Sequence, residues 1–168
     1  MKNLYITGMM GCGKTSLGKA IARVTELPFL DLDDEIVCRT GKSIPEIFAQ
    51  EGEEAFRQQE TEALRAVSEG ELQIVACGGG TVLRKENVDI MRATGAILFN
   101  DRPLEYILSD ITYDGRPVIA GGEEKLRKVY AERYEIYRTN CDLQLDNRYE
   151  SAQDAAEIVI RQLYPEKY

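Results

Sequence analysis

A chain of 168 residues, 43% hydrophobic and 30% charged, fits one globular domain with a real core better than two, with room for a small insertion such as a lid. A net charge of -8 argues against a broad nucleic-acid surface, since phosphate backbones are held by clustered Lys and Arg. The start carries neither a signal-peptide apolar stretch nor a membrane-length one, so no membrane partner is expected. Histidine is absent, which confines any chemistry to carboxylates, Lys, Arg and a hard metal ion. Cys12, Cys38, Cys77 and Cys141 are scattered without a C-x-x-C pair, as expected of free thiols in a soluble cytoplasmic protein.

In chain order, an apolar run at Leu4 to Thr7 predicts a buried strand. Gly8, Met9, Met10, Gly11, Cys12, Gly13, Lys14 and Thr15 follow it in the pattern G-x-x-x-x-G-K-[ST]. Leu17, Ala20, Ile21 and Val24 then recur at i, i+3, i+4 and i+7, which predicts a helix with one stripe against a sheet. Between strand and helix, such a loop curls its N–H groups around a phosphate, and the helix dipole adds to them. Lys14 then reaches the outer phosphates of a nucleotide and the Thr15 hydroxyl faces magnesium; the plainer alternative is a glycine-rich turn with a surface lysine. No N-K-x-D guanine motif is present, and the chain is short for an ATP-driven motor.

A second strand is predicted at Phe29 to Leu32 in "FLDLDDEI". Period-two alternation puts Asp31 and Asp33 on one side of an extended chain, at the carboxyl edge where open α/β sheets build sites. One carboxylate near the metal and one near an acceptor hydroxyl is the functional expectation; a polar turn is the plain one. Asp34 and Glu35 suit the first turn of a helix. Ser43, Ile44, Pro45 and Glu46 form a capping box that opens another. In "EEAFRQQETEAL", Phe56, Ala63, Leu64 and Val67 define an apolar stripe that includes Glu60. A buried carboxylate needs a partner, and Arg57 at i-3 is the natural one, its fork then preset for a ligand carboxylate. An exposed i,i+3 ion pair is the alternative.

Strands are also predicted at Ile74 to Ala76, Ala96 to Phe99 and Leu143 to Leu145, and a last helix at about Ser151 to Leu163, with Ala152, Ala155, Ala156, Val159 and Leu163 on one face. Gly78, Gly79 and Gly80 follow the third strand, where missing side chains allow a ligand close to the backbone. Asp110 to Glu124 is the least structured stretch and holds Arg116; Arg133 lies on a helix beyond it. Taken singly, each of these arginines reads as a solvated surface residue. Alternating strands and helices predict an α/β domain with a mostly parallel sheet.

Together, GMMGCGKT, DLDDEI, TGKSIPEIF, EEAFRQQE, the triple glycine, GRPVIAGG and the ERYEIY helix resemble the shikimate kinase family across nearly the whole chain. The resemblance implies a three-layer α/β/α P-loop fold like that of nucleoside-monophosphate kinases. A five-stranded parallel sheet, a substrate-binding region at about 33–62 and a lid at about 110–124 would lie within a single domain, 1–168. It implies transfer of the γ-phosphoryl of ATP to the 3-hydroxyl of shikimate, with magnesium, by what is expected to be a monomer.

By the same resemblance, Gly11, Cys12, Gly13, Lys14, Thr15 and Ser16 hold ATP, with Arg116 and Arg148. Thr15 and Asp31 serve the metal. Lys14, Asp33 and Arg116 are catalytic, Asp33 taking the hydroxyl proton. Arg57 and Arg133 clamp the shikimate carboxylate beside Gly78, Gly79 and Gly80, with Glu60 fixing Arg57. Members often carry a further arginine early in the lid, where this chain has Ser109, Asp110 and Thr112, and Val118-Ile119 replaces the usual two leucines. A related kinase for another polyol such as gluconate, and a nucleotide-binding regulatory module without turnover, are the two alternatives.

Overall fold

Five apolar runs become the five strands of one sheet in the computed structural model, which describes residues 3–110 and 121–165. They are β1 (Asn3–Thr7), β2 (Phe29–Asp31), β3 (Ile74–Ala76), β4 (Gly95–Asp101) and β5 (Leu143–Asp146). Every pairing is parallel and the order is β2-β3-β1-β4-β5, so all carboxyl ends share one edge. The helices are α1 (Lys14–Thr25), α2 (Leu32–Thr40), α3 (Ile44–Ser68), α4 (Lys85–Thr94), α5 (Leu104–Asp110), α6 (Gly122–Thr139) and α7 (Ala152–Leu163). A 3-10 turn covers Thr81–Leu83.

Strand alternation divides the core in two, since successive side chains point to opposite faces. Leu4 and Ile6 of β1 join Leu98 of β4 in a cluster with Leu17 and Ile21 of α1 and Ala155, Ala156 and Val159 of α7. Tyr5, Val75, Ile97 and Phe99 point the other way, into a cluster with Ile36 of α2, Leu64 of α3, Met91 of α4 and Val129 of α6. The expected three-layer α/β/α arrangement is what forms.

Local expectations hold with adjustments. The capping box closes both ways: Glu46 N–H donates to Ser43 Oγ (3.3 Å) and Ser43 N–H to Glu46 Oε2 (2.7 Å). The helix it opens is kinked at Gly52 (φ 87°, ψ 172°), a conformation reserved for glycine. Val24 departs from its expected stripe: it is 37% exposed, because the last turn of α1 turns it away from the core that buries Leu17 and Ile21. Ala152 and Leu163 are half-buried at the ends of α7, outside its buried centre.

The stretch Asp110 to Glu124 is helical at both ends, where α5 finishes and α6 begins. Residues 111–120, with Arg116, Thr112, Val118 and Ile119, lie outside the described residues. No helix among the described residues is long and apolar enough to cross a membrane.

The four thiols differ sharply in exposure: Cys38 is exposed, Cys141 intermediate, and Cys12 and Cys77 buried. Burial, chiefly, pushes the Cys77 thiol well above its ordinary range, with Glu60 adding to the effect. A native-state titration with an aromatic disulfide reagent is therefore expected to label Cys38 quickly and Cys141 slowly. Cys12 and Cys77 should react only on unfolding, which mass mapping of the labelled peptides checks.

Candidate active site

The phosphate loop leaves β1 and enters α1, as its pattern demands. Gly11 and Gly13 take positive φ (76° and 88°), and both line a cavity of about 540 Å³ at the carboxyl edge of the sheet. Lys14, buried at the start of α1, donates from Nζ to the Gly8 and Met9 carbonyls at 2.9 and 3.0 Å. The ammonium is thus held by two backbone carbonyls in a cavity that Lys14 itself lines. Ser16 lines the cavity as well. Cys12 does not: its side chain is buried and its N–H is donated to Met9 O at 3.1 Å.

Thr15 Oγ1 donates to Asp31 Oδ2 at 2.7 Å, so a hydroxyl and a carboxylate meet beside Lys14. Two hard oxygen donors suit magnesium, which usually takes one or two protein oxygens and fills its shell with phosphate and water. The donor set therefore fits that ion. The route by which Asp31 and Asp33 share the cavity differs from the alternation expected. The chain is extended only through Asp31, which caps α2 by accepting the Asp33 N–H at 3.0 Å; Asp33 then sits in the first helical turn with Asp34 and Glu35. All of Asp31, Asp33 and Asp34 line the cavity.

Glu60 is fully buried on α3, on the stripe formed by Phe56, Ala63, Leu64 and Val67. Arg57 Nη1 donates to Glu60 Oε1 at 2.9 Å, and the Thr81 hydroxyl donates to Oε2 at 2.8 Å. Arg57 also approaches Glu53 at 3.5 Å and lies over the Phe56 ring, 5.1 Å from its centroid. This is a buried pair, not an exposed one. Two of the three glycines make room for it: a Cβ at Gly80 would stand 2.5 Å from Arg57 Cζ, and one at Gly78 2.9 Å from Glu60 Oε2 and 3.0 Å from Asp33 Oδ1. At Gly79 a Cβ would meet only ordinary contacts, with Arg133 Nη1 3.7 Å away. Arg133 reaches this place from α6, buried, and its Nη1 makes no hydrogen bond among the described residues. The two guanidinium groups thus flank the glycine run.

Three participants were not evident from sequence. Thr81 completes the coordination of Glu60 from 21 residues away, which no local pattern reveals. Tyr137, four residues after Arg133 on α6, donates its phenol to the Gly79 carbonyl, a spacing that i,i+4 reasoning would have found. Burial pushes the Tyr137 phenol above its ordinary range, so it stays a donor. Asp110 lines the cavity and pairs with Arg102 at 2.8 Å. Arg148, expected near the nucleotide, is exposed, tied to Asp146 at 3.0 Å, and does not line the cavity. Arg116 lies outside the described residues.

A phosphate-binding loop, a carboxylate pair and two buried arginines around one cavity belong to a small-molecule phosphotransferase, and comparison with known proteins narrows the class. The family model described as shikimate kinase matches residues 10–163. The chain belongs to the shikimate kinase family. It is 43% identical over 143 residues to a shikimate kinase of Clostridium beijerinckii, covering 84% of each chain. It is 36% identical over 163 residues to one of Caldicellulosiruptor bescii, covering 95% and 94%. The solved shikimate kinase of Acinetobacter baumannii in complex with shikimate superposes with a TM-score of 0.93 at 31% identity, over 99% of this chain and 95% of that one.

Replacing Thr81 by Val keeps the shape and removes the hydroxyl, leaving Glu60 Oε2 buried without its donor. The expected outcome is a loss of about 1–3 kcal/mol in urea unfolding with an unchanged m-value. Thr81→Ser, which restores the donor, should recover most of it.

Proposed function

We propose that this chain transfers the γ-phosphoryl group of ATP to the 3-hydroxyl of shikimate, giving shikimate 3-phosphate and ADP, on the way to chorismate and the aromatic amino acids. The observation that carries the proposal is the pair Arg57 and Arg133 flanking Gly79 and Gly80 in the cavity that also holds Lys14, Thr15 and Asp33. Two buried guanidinium groups select an acceptor bearing a carboxylate, and the phosphate loop selects the donor.

Residues of about 33–62, with Arg133, form the acceptor side. Arg57, its fork held by Glu60, and Arg133 bind the shikimate carboxylate; the glycine run lets the ring approach the backbone. Asp33 accepts the proton of the attacking hydroxyl as its oxygen bonds to the γ-phosphorus and the bond to ADP breaks. Lys14 turns from the Gly8 and Met9 carbonyls to the β and γ oxygens and offsets the charge that builds there. Thr15 and Asp31 would hold magnesium, which supplies further positive charge at the phosphates when bound. Positioning and electrostatics account for most of the acceleration in phosphoryl transfer, so the lack of histidine is no obstacle. ATP-side and acceptor-side groups come from one chain, which makes a monomer sufficient, and the cytoplasm supplies ATP and keeps the thiols reduced.

A coupled assay of ADP release with ATP and magnesium should respond to shikimate and not to gluconate; release with gluconate alone would reject the acceptor. Asp33→Asn is expected to lower kcat about 10²–10⁴-fold with little change in either KM. Arg133→Leu should raise the KM for shikimate by roughly tenfold or more, as loss of charged hydrogen bonds worth about 1.5–3 kcal/mol implies, while the KM for ATP stays near wild type.

A further inference from the structure

Asn100 at the end of β4 and Asn147 just beyond β5 are both buried, and neither lines the cavity. A buried amide must satisfy its NH2 and its carbonyl together. Asn100 donates from Nδ2 to the Cys12 carbonyl at 2.8 Å, while its Oδ1 accepts from Asn147 Nδ2, also at 2.8 Å. The second bond decides the first: an amide whose oxygen is engaged by Asn147 has only its NH2 to offer the phosphate loop. Asn147 is itself seated by backbone bonds, its N–H to Asp101 O at 2.8 Å and its carbonyl from Arg102 Nη1 at 3.3 Å.

The consequence follows from peptide geometry. In a trans peptide the carbonyl of one residue and the N–H of the next point to opposite sides of the bond. The described residues contain no cis peptide. Holding the Cys12 carbonyl toward β4 therefore turns the Gly13 N–H away from β4, and Gly13 lines the cavity. Phosphate loops bind through N–H groups so directed.

We propose that Asn100 and Asn147 are positioning residues, a two-amide relay that sets the Cys12–Gly13 peptide so that the Gly13 N–H serves the phosphates of the nucleotide. The relay rests on the assignment of this loop to ATP. It makes a residue beyond β5, two strands from the phosphate loop, a determinant of nucleotide affinity, through hydrogen-bond polarity and not through contact.

The test is Asn147→Asp, which keeps the size and replaces the donor by a second acceptor. Asn100 then turns its NH2 to the new carboxylate and its oxygen to the Cys12 carbonyl. Calorimetric ADP binding is expected to weaken at least tenfold and the KM for ATP to rise in parallel, with the KM for shikimate within twofold. Asn100→Asp, which also sets an acceptor against the Cys12 carbonyl, should show the same split. ADP affinity within twofold of wild type, or equal loss of both ligands alongside a lowered melting temperature, overturns the relay. Should both variants fail to fold, Asn147→Ala, which removes the donor without adding a charge, decides: ADP affinity falls with the KM for shikimate within twofold if the relay holds, and ADP affinity within twofold of wild type refutes it. Wild-type protein that binds no ADP would instead refute the assignment of the loop to ATP, a distinct failure.

Discussion

A carboxylate that no water reaches is the constraint around which the acceptor side of the cavity is built. Glu60 is fully buried on α3, and a charge in that position is tolerable only when each oxygen has a donor. Arg57 supplies one and Thr81 the other. Arg57 must then lie flat across the loop after β3, which excludes any side chain at Gly80, and Glu60 together with Asp33 excludes one at Gly78. Gly78 and Gly80 are thus first a seat for the ion pair, and openness to a ligand follows from that. A preset arginine fork loses little freedom on meeting a ligand carboxylate, which is why the buried pair serves recognition more than stability.

The parallel sheet explains how distant segments reach one place. With all carboxyl ends at one edge, the phosphate loop follows β1, Asp31 closes β2, the glycine run follows β3 and Asn100 ends β4. Open α/β sheets place ligands at this edge for the same reason. The chain carries a net charge of -8, yet Lys14, Arg57 and Arg133 gather in the cavity. Anion binding here depends on local placement of cations, each buried where solvent screens it least.

The tyrosines and amides tie these pieces together. Tyr137 fastens α6 to Gly79, and so fixes the distance between Arg133 and the glycine run. Tyr134 fastens the same helix to Asp101 at 2.7 Å, a bond that, with burial, pushes its phenol up to about 12. Asp101 precedes Arg102, which stacks on Tyr106 and holds Asp110 at the cavity wall. The nucleotide loop and the acceptor clamp are therefore braced through contacts at the ends of β3, β4 and β5.

Much of this was legible in the residues. Strand and helix periods come from local burial, so the alternation of β and α, the phosphate loop and the Ser43 capping box depend on neighbours a few residues apart and can be read directly. The Arg57–Glu60 pair was legible for the same reason, since i,i+3 neighbours meet on any helix. Asp31 and Asp33 were placed together for a mistaken reason: the strand ends one residue sooner than alternation assumes, and the cap of α2, not the pleat, joins them. Which side of the cavity Arg133 enters, that Thr81 completes Glu60, that Arg148 stays outside, and that Asn100 meets Cys12 were decided only by the tertiary structure. These are contacts between residues tens of positions apart, made by sheet order and helix docking, and no local pattern carries that information.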